Sequence, residues 1–234
     1  MTKLVGVHKS TSPLTLIGMT LMGLAGLWYL LAETVSATGF PGYSYATNWI
    51  SDLGVPAPQT FQGRTIDSKL AVVMNAGFVG QGLLFVLGAV AIYFANPRLR
   101  RNGLLLGLAI IHGLGISMVG LVHGNQENVA AGLAVYHFGG AMLAIIGGNI
   151  AIMVAGTSVL REVLPRWMPR ASTWLGAIGL VSLAILFAVE PSLWMYAPVF
   201  ERGAVYTILI GELTIGAAAL RYARTTTDTS MSGE

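Results

Sequence analysis

Six apolar segments succeed one another along this chain, at about residues 14–35, 69–95, 103–122, 132–156, 173–189 and 203–220. A helix rises 1.5 Å per residue, so each segment is long enough to cross a hydrocarbon core about 30 Å thick. Charge then decides between a protein core and a bilayer. Only 10% of the 234 residues are Asp, Glu, Lys or Arg, against roughly 25% in a soluble domain. So few charges cannot cover a water-facing surface, and lipid must solvate much of it. The expected fold is an all-α integral membrane protein, a six-transmembrane-helix bundle. It forms one domain over residues 1–222, followed by a polar tail (223–234) whose composition suits disorder.

The basic residues set an expected orientation. With the N-terminus inside, the cytoplasmic segments hold Lys3, Lys9, Arg98, Arg100, Arg101, Arg161, Arg166, Arg170, Arg221 and Arg224, and the outer segments hold Arg64, Lys69 and Arg202. That asymmetry satisfies the positive-inside rule and places both termini in the cytoplasm of a plasma-membrane protein. It also argues against nucleic acid, because the charges sit at helix ends and form no single binding face. The segment 14–35 is too long for a signal-peptide core and is read as a retained helix. The chain has no cysteine, which excludes disulfides, thiolate metal sites and cysteine nucleophiles. Among its 30 glycines, Gly103 with Gly107, Gly139 with Gly140, Gly147 with Gly148, and Gly176 with Gly179 suit close helix packing in lipid.

The chain departs from this simplicity in one stretch, Phe40-Pro41-Gly42-Tyr43-Ser44-Tyr45-Ala46-Thr47-Asn48-Trp49-Ile50-Ser51-Asp52-Leu53-Gly54. It lies in the long outer loop after the first span and gathers Asn48, Ser51 and Asp52. Ionisable groups at membrane depth are costly and usually face the bundle interior. Direction of travel puts His123 at the outer rim of the third span and His112 about 16 Å deeper. The same reasoning puts His137, Asn75 and Gln81 in the outer halves of their spans. Glu33 and Glu190 end the first and fifth spans on that side, and Glu212 is near the midplane. The expected site therefore lies under the loop. Its catalytic candidates are Ser51, Asp52, His123 and His137, and its ligand-binding candidates are Asn48, Asn75, Glu33 and Glu190.

Two chemistries suit these residues. Asp52 with His123 and His137 has the donor types of a zinc site that activates water. Asp52 also suits orienting a histidine base for a Ser51 nucleophile. Each group has a plainer reading too. Ser51 and Asp52 suit capping a short interfacial helix that Gly54 ends, and His137, Asn75 and Gln81 suit bonds between helices.

The run Tyr43–Gly54 with its Asn-x-x-Ser-Asp-Leu-Gly motif, Asn75, and the Val119-Gly120…His123…His137 pattern resemble the prokaryotic membrane family known as domain of unknown function 998. That resemblance covers about residues 12–222 and implies six spans without an assigned activity. The Ser-Asp-Leu-Gly loop is also similar to that of Frag/DRAM/Sfk proteins, which implies lipid handling. A Ser, an Asp and dispersed His residues are similar in kind to CREST-type membrane hydrolases. Here, however, the fifth and sixth spans lack that group's His-x-x-x-His pair. The expectation from the whole sequence is a membrane protein that binds a lipid or small amphiphile at an outer polar site. The alternative is an outward-facing hydrolase of lipid or amide bonds.

Overall fold

A computed structural model describes the backbone of residues 11–189 and 191–231, with the side chains of all of these except 159, 162, 191, 192 and 226–231. Six long apolar helices carry the fold: α1 (Pro13–Thr38), α2 (Ala71–Ala95), α3 (Arg100–Leu121), α5 (Ala134–Ala155), α6 (Met168–Ala188) and α7 (Ala197–Met231), with a short α4 (Gln126–Ala130) between the third and fourth. All six meet the length and composition of membrane spans. The surface supports this, because Val72, Leu121, Phe187 and Trp174 are among many large apolar side chains left exposed. No water-soluble protein keeps so continuous an apolar coat. The chain is a multi-pass membrane protein.

The helices form a closed ring. Each packs on its sequence neighbour, α3 meets α5 across the short connection, and α7 returns against α1 while also touching α5. Helix direction alternates, so the segments 39–70, 122–133 and 191–196 share one end of the bundle. The arginines Arg98, Arg100, Arg101, Arg161, Arg166, Arg170, Arg221 and Arg224 gather at the other.

Local chemistry explains most helix boundaries. Pro13 opens α1, and Pro169 sits in the first turn of α6, where a missing N–H costs nothing. Asn96 before Pro97 closes α2. The last span begins at Ala197, earlier than residue 203, because Glu201 and Arg202 are partnered inside the bundle and do not end the helix. The same helix continues to Met231, through residues 223–231 of the polar tail. No Gly or Pro interrupts the chain between Gly216 and Met231.

Glycine sets how closely the helices approach. A Cβ on Gly23 of α1 would stand 2.6 Å from the Gly216 Cα of α7, and one on Gly115 of α3 would stand 2.5 Å from the Gly140 carbonyl oxygen of α5. Gly103, Gly107 and Gly139 do not share this role, since among the described residues nothing lies closer than 3.8 Å to a Cβ at any of them. We therefore expect Gly23→Ala to lower stability by about 1–3 kcal/mol through overpacking. Gly107→Ala, on an exposed helix face, should be neutral or stabilising. Unfolding equilibria in mixed micelles would read both.

The loop 39–70 closes one end of the bundle, with residues 44–54 as a plug. Ile50, Leu53, Val55 and Ile66 are almost wholly buried among Tyr29, Met74, Phe78 and Leu209 at the helix ends. Residues 50–54 form one 3-10 turn, and a hairpin follows, β1 (Gln59–Phe61) paired antiparallel with β2 (Arg64–Ile66). Its two-residue turn has Gln62 at φ 49° and Gly63 at φ 76°, the left-handed pair of a type I′ turn.

Candidate functional site

The plug brings polar groups to the capped end, in an arrangement unlike a metal site or a triad. Asp52 is buried and fully engaged. Its Oδ2 accepts from the Trp49 backbone N–H (3.1 Å) and from Arg64 Nε (3.2 Å), and its Oδ1 accepts from Arg64 Nη2 (3.3 Å). One carboxylate thus caps its own 3-10 turn and pins the hairpin to it, a bidentate pair of the kind arginine favours. Ser51 makes no hydrogen bond to either imidazole among the described residues.

The histidines are committed elsewhere. Asn75 Nδ2 donates to the Gly54 carbonyl (2.9 Å) and lies 3.0 Å from His123 Nε2, which must then be the accepting, unprotonated nitrogen. His137 Nδ1 donates to the Val122 carbonyl (2.7 Å), tying α5 to the end of α3. The His137 ring backs onto Gly124, where a Cβ would come within 2.8 Å of Nε2. Among the described residues, no three His, Asp or Glu side chains are grouped as metal ligands. The set Asp52, His123 and His137 expected for zinc is not among the groupings that the described residues form. The Arg64 guanidinium fills the space on Asp52 that a cation would need, and each imidazole is turned to a local carbonyl or amide. A nucleophilic Ser51 has no base for the same reason.

Desolvation in its half-buried position holds the His123 pKa below the ordinary 6.5. A group whose folded pKa is lowered binds fewer protons folded than unfolded. Its contribution is complete above the unfolded pKa and is lost as pH falls through about 6.5 toward the folded value. Protonation at Nε2 would also break the bond from Asn75. Unfolding midpoints followed from pH 7.5 to 5 should fall more steeply for the native chain than for His123→Gln.

A second cluster lies beside the plug, and only part of it was legible. Glu33 on α1 and Arg202 on α7 are 2% and 6% exposed, and their charged atoms lie 3.7 Å apart. Tyr206 donates to Glu33 Oε1 (2.9 Å). Arg202 reaches into the plug, where Nη1 donates to the Asn48 carbonyl (2.7 Å) and Nη2 to the Tyr43 hydroxyl. Its guanidinium carbon sits 5.1 Å from the Tyr45 ring centre, a cation–π distance. Burial pushes the Tyr43 phenol above its ordinary range while Arg202 opposes the shift, so Tyr43 remains a neutral acceptor. Next to it, Glu201 Oε2 accepts from the Ile50 backbone N–H (2.8 Å). Glu33 thus belongs to a clamp, and Glu190 lies outside the described residues. Arg202 was read from sequence as a topological charge. The signal that would have found it is an acid and a base, Glu33 and Arg202, at matching depth on two different spans.

Deeper in the bundle, Gln81 Nε2 donates to Glu212 Oε1 (2.6 Å) and lies 3.0 Å from His112 Nε2. His112 Nδ1 donates to the Ala144 carbonyl (2.7 Å). This chain joins α7, α2, α3 and α5, with Glu212 Oε2 left without a partner among the described residues. His112 is accordingly far from the plug, as its depth implied.

Between the plug, the hairpin and the 191–196 turn lies an open cleft of about 550 Å³. Trp49 and Trp194 line it with ring centres 5.8 Å apart, and Thr47, Asn48, Gln62, Arg64, Thr65 and Met195 line it as well. Among the described residues, Asn48 is the one expected site residue that lines this cleft. Its Oδ1 accepts from the Ser44 backbone N–H (3.0 Å), which fixes the loop's turn.

No curated protein and no solved structure matches the chain. A family profile does match, across residues 7–218 and so over nearly all of the architecture described above. The chain belongs to the family described as Protein of unknown function (DUF998).

Proposed function

We propose that this protein holds the polar end of a lipid or small amphiphile in the cleft of its capped end, and that this end faces away from the cytoplasm. The cleft is the observation that carries the reading. At about 550 Å³ it falls in the range of ligand sites, roughly 300–1,000 Å³, and combines aromatic walls with a few polar groups. It lies at the end of a bundle whose helices leave many large apolar side chains exposed, so an acyl chain bound beside them would have lipid around it while its headgroup has the cleft. The orientation rests on the gathering of arginines at the opposite end. Hydrolysis is left out of the reading because Asp52 and both imidazoles are engaged in holding the fold.

Photolabelling tests this. A diacyl lipid carrying a diazirine close to its headgroup should place adducts on peptides covering 40–65 and 191–198. Adducts spread evenly over the lipid-facing helices would count against it. Because the chain has no cysteine, single-cysteine variants report the side of the membrane. An impermeant maleimide added to intact cells should label Thr60→Cys and spare Arg166→Cys.

A further inference from the structure

We propose that the headgroup taken by this cleft is an uncharged, polyhydroxylated ring, the chemistry of a saccharide, and not a phosphate. The inference rests on the lipid- or amphiphile-binding reading above and goes further by naming what is recognised. Its first support is an account of charge. Three basic residues lie at the capped end, and each is already committed. Arg202 is buried in the clamp with Glu33, and Lys69 lies against the Asp67 carboxylate (2.6 Å). Arg64, the one that lines the cleft, gives both Nε and Nη2 to Asp52. A phosphate entering here would meet a neutralised ion pair and lose its hydration for little return. A cationic headgroup fares no better, because the Arg64 guanidinium already takes the cation–π place at Trp49, 5.9 Å from its ring centre.

The remaining lining is neutral and suits hydroxyl groups. Asn48 Nδ2 and Gln62 Nε2 have no hydrogen-bond partner among the described residues. Both are uncharged donors beside two indoles. Indole faces carry negative quadrupole density that attracts the weakly positive C–H face of a sugar ring, and amides bond its hydroxyls.

Backbone geometry adds a separate indication. Gln62 is the only non-glycine residue with positive φ among the described residues. A type I′ turn is most easily built with Asn or Gly at that place. A longer amide is held there, among the residues that line the cleft, at a modest conformational cost.

The test extends the photolabelling. The full chain is purified in an amine-oxide detergent, since alkyl glycosides would occupy the site, and placed in phosphatidylcholine nanodiscs with the diazirine lipid. Competitors are a monoglucosyl diacylglycerol, phosphatidylglycerol with the same acyl chains, and a free disaccharide. The glucosyl lipid should suppress the 40–65 and 191–198 adducts at about a tenth of the phosphatidylglycerol concentration. Trp194→Ala and Gln62→Gly should remove that preference. Gln62→Gly should leave the unfolding midpoint equal or higher, which separates recognition from folding. Suppression by the disaccharide alone would assign the same chemistry to a soluble sugar and support the proposal. Equal or better competition by phosphatidylglycerol would overturn the saccharide inference and leave amphiphile binding standing. Absence of cleft adducts under every condition would overturn both.

Discussion

Arg202→Met is expected to destabilise the protein by about 3–5 kcal/mol, the largest single effect in the account. The substitution keeps most of the side chain's volume, so packing does not explain the loss. It strips the charged partner from Glu33, which is 2% exposed and keeps only the Tyr206 hydroxyl, and it frees the Asn48 carbonyl and the Tyr43 hydroxyl. An uncompensated acid at that depth is far more costly than an apolar residue. Combining it with Glu33→Met should therefore recover a large part of the lost stability, although neither change restores a contact. Unfolding of the two variants side by side in mixed micelles measures this. Equal loss in both would mean that the pair's packing, not its charge, holds the plug.

Gln81→Leu is expected to cost about 2–4 kcal/mol, from two buried groups orphaned at once. One is Glu212 Oε1 (2.6 Å) and the other His112 Nε2 (3.0 Å). Bonds between helices in lipid are individually modest, because the unfolded state in the membrane also finds partners. The size here comes from Glu212, whose other oxygen is already unpartnered. Glu212→Gln keeps an acceptor for Gln81 and should cost much less. A similar loss for Gln81→Leu and Glu212→Gln would show that the carboxyl, and not the shared amide, is what matters.

Most of the architecture was legible because lipid imposes it. A helix must satisfy its own backbone in hydrocarbon, so long apolar runs mark their own positions, and α2, α3 and α5 begin and end within three residues of the expected bounds. The ends that moved did so where a polar residue finds a partner within the fold. The last helix starts at Ala197 because the Glu201 and Arg202 side chains are received by the plug. The hairpin was missed because three-residue strands carry too little alternation to read, and Gln62-Gly63 is a poor advertisement for a tight turn.

The end of the bundle that gathers the polar residues was legible, and their pairings were not. Sequence put Asn48, Ser51, Asp52, Asn75, Glu33, His123 and His137 at one end of the bundle, and they are there. Residue type could not say which partner each would choose. Asp52 finds Arg64, twelve positions along the chain, through the hairpin that sequence did not show. The capping role that Ser51 and Asp52 suggested is fulfilled by Asp52 alone, on the Trp49 amide. Asn75 reaches both the end of the 3-10 turn and the His123 imidazole, so two candidates were spent on each other.

The central claim is that residues 44–54 form a fixed plug, clamped to α7, that shapes the cleft beside it. Hydrogen exchange of the backbone amides in nanodiscs tests it most directly. The amides of Asn48, Trp49, Ile50 and Asp52 are bonded to Ser44, Asp52, Glu201 and Trp49. They should be protected nearly as well as the helix interiors, and Arg202→Met should release them while the helices stay slow. Exchange of 44–54 in the native chain as fast as that of the hairpin tip at 62–63 would contradict the claim.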